Sequence, residues 1–163
     1  MVKVKRQGMK TPGDVVFTIS AKDGGSHFYD YELGPVIKPA KDYLLRQFSL
    51  HIEECTYKSC VLRVTAYEVS GTKIIPIQYK PTYIYCNRNH QNTDCTQRFP
   101  ENIVFQKGHT YYVGIVLVSA EGAGRICFPA CLHRGYARKV DTGRIKKLST
   151  SLALSLTGIV VKN

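Results

Sequence analysis

Residues 44–52 decide the fold of this chain, and they read LLRQFSLHI. The even positions Leu44, Phe48, Leu50 and Ile52 are apolar, and only Arg46 interrupts that row. Polar side chains occupy positions 47, 49 and 51 between them. A period of two is typical of a β-strand with one buried and one exposed face, so this segment predicts a half-buried strand.

Further strands are predicted on both sides of this segment. The same alternation returns at residues 62–66 and 151–156, and residues 111–118 are almost wholly aromatic or β-branched, which predicts a strand buried on both faces. Residues 74–85 contain Pro76 and Pro81, which cannot donate to a ladder, so we expect an edge strand or two short strands there. Weaker candidates are residues 15–19, 28–33, 103–106 and 125–128.

The pattern as a whole favours a β-sandwich. No long stretch has apolar positions at helical spacing, and about eight to ten short strands alternate with Gly, Pro and Asn. We therefore predict an all-β fold, a single antiparallel β-sandwich of the jelly-roll type, with Ig-like topology as an alternative that the absence of Trp disfavours. The 163 residues suit one domain, with a basic N-terminal arm over residues 1–13 and the sandwich over residues 14–163.

The chain is strongly basic, with 23 Lys and Arg against 12 Asp and Glu, a net charge of +11. This balance favours acidic partners such as acidic glycans, nucleic acid or anionic lipid, and a basic surface that serves solubility alone is the alternative. The longest apolar run, residues 152–161, is shorter than the ~20 residues that span a bilayer, so we expect no membrane span.

Six cysteines form three local pairs: Cys55 with Cys60, Cys86 with Cys95, and Cys127 with Cys131. Each pair flanks an expected loop, and positions that face each other across a hairpin come close to disulfide geometry. We expect these three disulfides if the chain matures in an oxidising compartment, and buried free thiols if it does not. Zinc is disfavoured because the tight spacing typical of zinc ligands is missing, so no metal site is predicted.

Catalytic signatures are missing from the sequence. It contains no nucleotide-binding Gly-rich loop and no G-x-S-x-G elbow. The adjacent Glu53 and Glu54 would point to opposite faces of a strand and so could not share acid–base work. We therefore predict no enzymatic activity and no cofactor.

The most basic stretch runs from His133 to Lys147, where six cations and the single acid Asp141 give a net charge of +5. Cations beside an aromatic ring can bind phosphate or stack on a base or a sugar. A solvated connection between two late strands is the alternative. The candidate binding residues of this stretch are Arg134, Tyr136, Arg138, Lys139, Arg144, Lys146 and Lys147.

A second candidate surface is the amide loop, residues 86–95, which read CNRNHQNTDC. Side-chain amides next to tyrosines are typical of sugar recognition, although Asn and Asp are also common turn residues. The candidate binding residues here are Tyr83, Tyr85, Asn87, Arg88, Asn89 and Asn92.

Two stretches together resemble a known family: Leu44-x₃-Phe48-x-Leu50-His51-Ile52, then Cys55-Thr56-Tyr57-x₃-Val61-Leu62-Arg63-Val64-x₂-Tyr67-Glu68-Val69. They are similar to a β-sandwich domain of Bacteroidota that often follows a carboxypeptidase-regulatory-like domain in surface or periplasmic proteins. Residues 108–113 and 142–148 fit the closing strands of that family, although Ile145 stands where the family usually has Trp, and the cysteine pairs are not part of its pattern. The resemblance covers about residues 33–161 and implies a sandwich in the bacterial envelope, with no catalytic residues.

These observations predict a non-catalytic accessory or ligand-binding module of the bacterial cell envelope, with an acidic glycan or another protein as its partner. The first alternative is a structural protein that self-associates, such as a decoration or attachment protein of a Bacteroidota phage. The second is sequence-independent nucleic-acid binding through residues 133–147. We expect the periplasm or cell surface if Met1 is not the natural start, and the cytoplasm or a virion otherwise.

Overall fold

The computed structural model describes residues 2–4, 16–21 and 31–161, with side chains described from residue 31 to residue 161. All regular secondary structure in these ranges is β-strand, and the predicted all-β antiparallel sandwich is confirmed. The strands are β1 (Val2–Val4), β2 (Val16–Ala21), β3 (Tyr31–Ile37), β4 (Tyr43–Ile52), β5 (Glu54–Cys55), β6 (Ser59–Ser70), β7 (Lys73–Pro76), β8 (Thr82–Asn87), β9 (Thr93–Phe105), β10 (Thr110–Glu121), β11 (Gly124–Cys131), β12 (Gly135–Lys139), β13 (Ile145–Leu148), β14 (Ser151–Leu152) and β15 (Leu154–Val160).

These strands form three antiparallel sheets. The largest, called here the seven-stranded sheet, has the order β13-β12-β3-β10-β6-β7, and β8 pairs with β6 beside β7. A second sheet has the order β1-β15-β4-β9, and the third has the order β14-β11-β2 with β5 beside β11.

The core lies between the seven-stranded sheet and the sheet that contains β4. Leu62, Val64 and Ile115 face it from the first, and Phe48 and Leu50 from the second, all within one continuous buried cluster. Strand β10 lies between β3 and β6, and its residues from Tyr111 to Leu117 are buried. The sequence prediction of a strand buried on both faces is therefore confirmed here.

A β-bulge changes the predicted phase of β4. The pairing of β4 with β9 shifts between Leu45 and Gln47, which places Leu45 in the core and Arg46 in solvent. The inward row thus runs through Leu45, Phe48, Leu50 and Ile52, and Leu44 is only half-buried. The bulge removes the one charged residue from the predicted buried face, because an extra residue reverses the alternation at that point.

The proline-containing segment at residues 74–85 forms the two short strands β7 and β8. Both pair with β6, β8 along residues 59–64 and β7 along residues 67–70, so they follow one another along the same edge of the sheet, as the two prolines predict. Inside the predicted arm, Val2–Val4 pair with β15, and the rest of residues 1–13 lies outside the described residues. Across the described ranges, no helix is long and apolar enough to cross a membrane.

Candidate ligand-binding groove

Both predicted binding surfaces contribute to one face of the seven-stranded sheet, the face turned away from the core. Residues directly opposite each other on paired strands share a face, so the register assigns each side chain. Tyr83 of β8 lies opposite Arg63, and Tyr136 of β12 lies opposite Lys147 on one side and Gly34 on the other. From β8 to β13 this outer face carries Tyr83, Arg63, Tyr67, Tyr112, Glu32, Arg138, Tyr136 and Lys147.

Glu32 is the central polar residue of the outer face, and its side chain is 0% exposed. The Tyr67 hydroxyl donates a hydrogen bond of 2.8 Å to Glu32 Oε2, and Arg138 Nη1 lies 3.4 Å from Oε1. The Tyr112 hydroxyl donates to the Glu32 backbone carbonyl at 2.5 Å. The Arg138 guanidinium also lies over the Tyr67 ring, 5.4 Å from its centroid. One buried carboxylate therefore links β3, β6 and β12.

Glycine makes room for this carboxylate. A Cβ added at Gly114 of β10 would lie 2.5 Å from Glu32 Cγ and 2.7 Å from Cδ. A Cβ added at Gly34 would overlap the backbone carbonyl of Val113 at 1.6 Å. The side chain of Glu32 thus lies across a stretch of sheet that must be free of side chains.

Burial has the largest effect on the pKa values of Glu32, Tyr67 and Tyr112. It raises the pKa of the Glu32 carboxyl above its ordinary 4.5, although Tyr67, Arg138 and Arg63 each act to lower that pKa. Burial, reinforced by the Glu32 charge, also raises the pKa values of the Tyr67 and Tyr112 hydroxyls. Both tyrosines therefore remain hydrogen-bond donors across the neutral pH range.

A groove of about 850 Å³ opens beside the β12–β13 hairpin, where β3 and β6 end and β10 begins. Three cations line it: Lys38 just after β3, Arg134 just before β12, and Lys147 on β13. None of the described lining residues is acidic. The complete lining is Val36, Lys38, Val69, Gly71, Thr110, Leu132, His133, Arg134, Gly135, Tyr136, Lys147, Leu148 and Ser149.

The wall of this basic groove is fixed to the sheet by hydrogen bonds. A ring nitrogen of His133 lies 2.6 Å from the Val36 carbonyl, and the Val36 amide donates to the Arg134 carbonyl at 2.9 Å. The Tyr136 ring packs against Tyr112 with its centroid 5.4 Å away. Tyr136 is thereby connected through Tyr112 to the buried Glu32.

The predicted basic stretch is divided by strand alternation. Arg134, Tyr136 and Lys147 line the groove, whereas Lys146 lies opposite Ala137 on the other face of the same hairpin. Arg138 forms an ion pair with Glu32, so its charge is already paired within the protein. Lys139, the last residue of β12, and Arg144 flank the turn of the hairpin, where the Lys139 amide donates to the Arg144 carbonyl at 2.8 Å. Residues 135–139 and 145–148 are paired strands, so this stretch is not a simple connection between two strands.

The amide loop is held largely by its own hydrogen bonds. Asn87 Oδ1 accepts from the Asn89 amide at 2.8 Å, and Asn92 Oδ1 lies 3.1 Å from a ring nitrogen of His51. The other ring nitrogen of His51 lies 2.7 Å from Asp94, and Arg88 donates to the Thr56 carbonyl at 3.1 Å. The Asn89 side chain remains exposed, as do Tyr83 and Tyr85, the latter 72% exposed. Most of the predicted sugar-binding amides therefore have a structural partner.

None of the six cysteines, all within residues 31–161, is joined in a disulfide, and the register changes two of the expected pairs. Cys127 and Cys131 lie within the single strand β11, so the loop expected between them is wrong. Four residues of strand separate their Cα atoms by about 13 Å, beyond the reach of a disulfide. The hairpin expected between Cys86 and Cys95 is also absent, because β8 pairs with β6 and β9 pairs with β4. Cys55 and Cys60 do meet, with their sulfur atoms 4.0 Å apart.

Sequence reasoning missed Glu32, Tyr67, Tyr112 and Lys38. The only signal for the first three was an acid within a weak strand candidate, together with Gly114 inside an otherwise bulky apolar segment. Within residues 31–161, no group of three or more His, Cys, Asp or Glu is arranged to hold a metal ion.

No protein-family model matches the chain, and no curated protein matches it. The similarity to the Bacteroidota domain therefore stays a prediction.

Proposed function

We propose that this protein is a non-catalytic binding module for an acidic glycan, and that the ligand occupies the basic groove. The observation that supports this most directly is the composition of the groove wall, which has three cations around Tyr136 and no acid among its described residues. The resemblance to an envelope domain family adds the bacterial cell envelope as the proposed setting.

The size and chemistry of the groove suit a short oligosaccharide. Its volume of about 850 Å³ falls within the range of small-ligand sites, roughly 300–1,000 Å³. Lys38, Arg134 and Lys147 would contact carboxylate or sulfate groups, and Thr110 and Ser149 would contact sugar hydroxyls. The Tyr136 ring, half-buried at the wall, would supply a stacking surface for a sugar.

The geometry favours a glycan over a polynucleotide. Sequence-independent binding of single strands uses a long basic channel and several aromatic rings on which successive bases stack. Here the basic hairpin divides its cations between two faces, and Tyr136 is the aromatic residue among the described lining residues. The groove thus suits a few sugar units better than an extended phosphate backbone.

A non-catalytic role is favoured by the position of Glu32, the one buried carboxylate within residues 31–161. Glu32 is fully buried and holds hydrogen bonds to Tyr67 and Arg138, so a ligand in the groove would not reach it. The contacts of Glu32 with Tyr67 of β6 and Arg138 of β12 give this carboxylate a structural role, because they connect three strands.

An array of neutral, uronic-acid, sialylated and sulfated glycans tests the proposal. We expect binding to acidic glycans that weakens as salt is raised from ~50 mM, because exposed charges are screened. Tyr136→Ala should abolish most of the signal, whereas Tyr85→Ala, which removes an exposed tyrosine outside the groove, should retain it. Absence of acidic-glycan binding, or loss of binding with Tyr85→Ala alone, would overturn the assignment to the groove.

A further inference from the structure

A cluster of three buried thiols lies at the end of the sandwich beside the edge strand β8. Cys55, Cys60 and Cys86 are 0%, 3% and 3% exposed, and all three belong to the continuous core. The sulfur atoms of Cys55 and Cys60 are 4.0 Å apart. Cys60 lies between the other two, since it also faces Cys86 across the β6–β8 ladder.

The register gives Cys60 and Cys86 the geometry that a disulfide needs. They are directly opposite each other on antiparallel strands, where Cα atoms are about 4.5–5.5 Å apart. Disulfides join Cα atoms that are about 4.4–6.8 Å apart. Both side chains point to the core side of the sheet, and they are close enough for the Cys86 thiol to raise the pKa of Cys60.

We propose that Cys60 and Cys86 form the disulfide of the oxidised protein, and that Cys55 is a third thiol able to exchange with it. This cross-strand bond fastens β8 to β6 and so fixes the edge strand that carries Tyr83 and Tyr85. Because Cys60 can bond to only one sulfur at a time, the cluster holds one disulfide and one remaining thiol.

The bond forms by thiol–disulfide exchange with a small disulfide such as oxidised glutathione. One cluster thiolate attacks a glutathione sulfur and releases one glutathione thiolate, which gives a mixed disulfide. The second thiolate attacks the protein sulfur of that mixed disulfide and releases the second glutathione. Two protein thiols are thereby oxidised, one glutathione disulfide is reduced, and the two protons pass to the glutathione thiolates.

Burial predicts that this exchange is slow. Burial raises the pKa of Cys55 to about 11, and the hydrogen bond with Cys86 together with burial raises the pKa of Cys60 as well, so few thiolates exist at pH 8. Strand β8 pairs only with β6 among the described strands, and local opening of such an edge is the route by which the oxidant would enter.

Trypsin cleavage places the relevant cysteines on separate peptides, which makes the test direct. Cys55 lies in residues 47–58, Cys60 in 59–63, Cys86 in 74–88 and Cys95 in 89–98. The full chain is incubated with excess oxidised glutathione at pH 8, blocked with an alkylating agent, digested without reductant and mapped by mass spectrometry. We expect peptide 59–63 linked to peptide 74–88.

Variants separate this pairing from its competitors. Cys86→Ser should move the bond to Cys55, linking peptide 59–63 to 47–58, and Cys60→Ser should abolish both linkages. Cys95→Ser, a matched change outside the cluster, should leave the linkage of 59–63 to 74–88 intact. A link between 74–88 and 89–98 in the wild type, a wild-type link between 47–58 and 59–63, or six alkylated thiols after prolonged oxidation would overturn the proposal.

Discussion

Gly114→Ala tests whether Glu32 is held across the sheet as described. The new Cβ would lie 2.5 Å from Glu32 Cγ and 2.7 Å from Cδ, so the carboxylate side chain has to move. Its movement breaks the 2.8 Å hydrogen bond from Tyr67 and separates Glu32 from Arg138.

The expected destabilisation follows from these contacts. A hydrogen bond to a charged acceptor contributes about 1.5–3 kcal/mol, and overpacking a closed core site costs about 1–3 kcal/mol. Alanine loses less backbone entropy than glycine on folding, which offsets about 0.5–1 kcal/mol. We therefore expect Gly114→Ala to lower the free energy of unfolding by about 1.5–5.5 kcal/mol.

A double-mutant cycle attributes this loss to Glu32. Urea unfolding, followed by circular dichroism, is measured for the wild type, Gly114→Ala, Glu32→Ala and the double variant. When the Glu32 side chain is already removed, the added methyl group loses its two closest contacts, while the Tyr112 hydroxyl remains 2.9 Å away, so Gly114→Ala should then cost about 1–2 kcal/mol less than in the wild type. An equal cost in the two backgrounds, or a cost below ~0.5 kcal/mol in the wild type, would refute the contact geometry.

Three further predictions concern charge, pH and the thiols. Arg138→Ala should lower the free energy of unfolding in urea by about 2–4 kcal/mol, because it leaves a buried carboxylate without its cation. Arg144→Ala, at an exposed arginine, should change that free energy by less than ~0.5 kcal/mol, and equal effects of the two substitutions would contradict the buried ion pair. The folded-state pKa of Glu32 lies above its unfolded value of 4.5, so the stability linked to its protonation is present below that pH and is lost as pH rises through the folded pKa. The free energy of unfolding of the wild type, relative to that of Glu32→Gln, should thus be greatest in acid. A difference between the two proteins that stays constant from pH 4 to pH 8 would contradict the raised pKa of Glu32. With a thiol-specific chromogenic reagent at pH 8, the half-buried Cys95 should react first, and rapid reaction of Cys55 would contradict its raised pKa of about 11.

Local sequence patterns predicted the strands because alternation and bulk are local properties. The segment 111–118 and the proline-marked edge at 74–85 became β10 and the β7–β8 pair. The bulge at Leu45 was not predictable in this way, because it depends on the partner strand β9 more than 40 residues away. Cys127 and Cys131 were expected to flank a loop, yet β11 continues through Pro129 between them, where it pairs with Val16 of the distant strand β2.

The groove could be predicted only in part. Arg134, Tyr136 and Lys147 came from a basic stretch that is continuous in sequence, but strand alternation decides which of its cations share a face. Lys38 and Thr110 reach the groove through pairings between distant strands, and no local pattern marks them. The role of Glu32 depends on space left by glycines on neighbouring strands, which is a property of packing.

Two neighbouring lysines test whether an acidic glycan binds in the basic groove. Lys147 lines the groove, and Lys146 lies on the opposite face of the same strand, so Lys147→Ala and Lys146→Ala remove equal charge from the molecule. Isothermal titration with one sulfated oligosaccharide compares their Kd values with that of the wild type. Loss of one exposed charge contact of about 1 kcal/mol predicts an affinity roughly fivefold weaker for Lys147→Ala and unchanged for Lys146→Ala. Equal losses for both variants would mean that net charge alone attracts the ligand and that the groove is not its site.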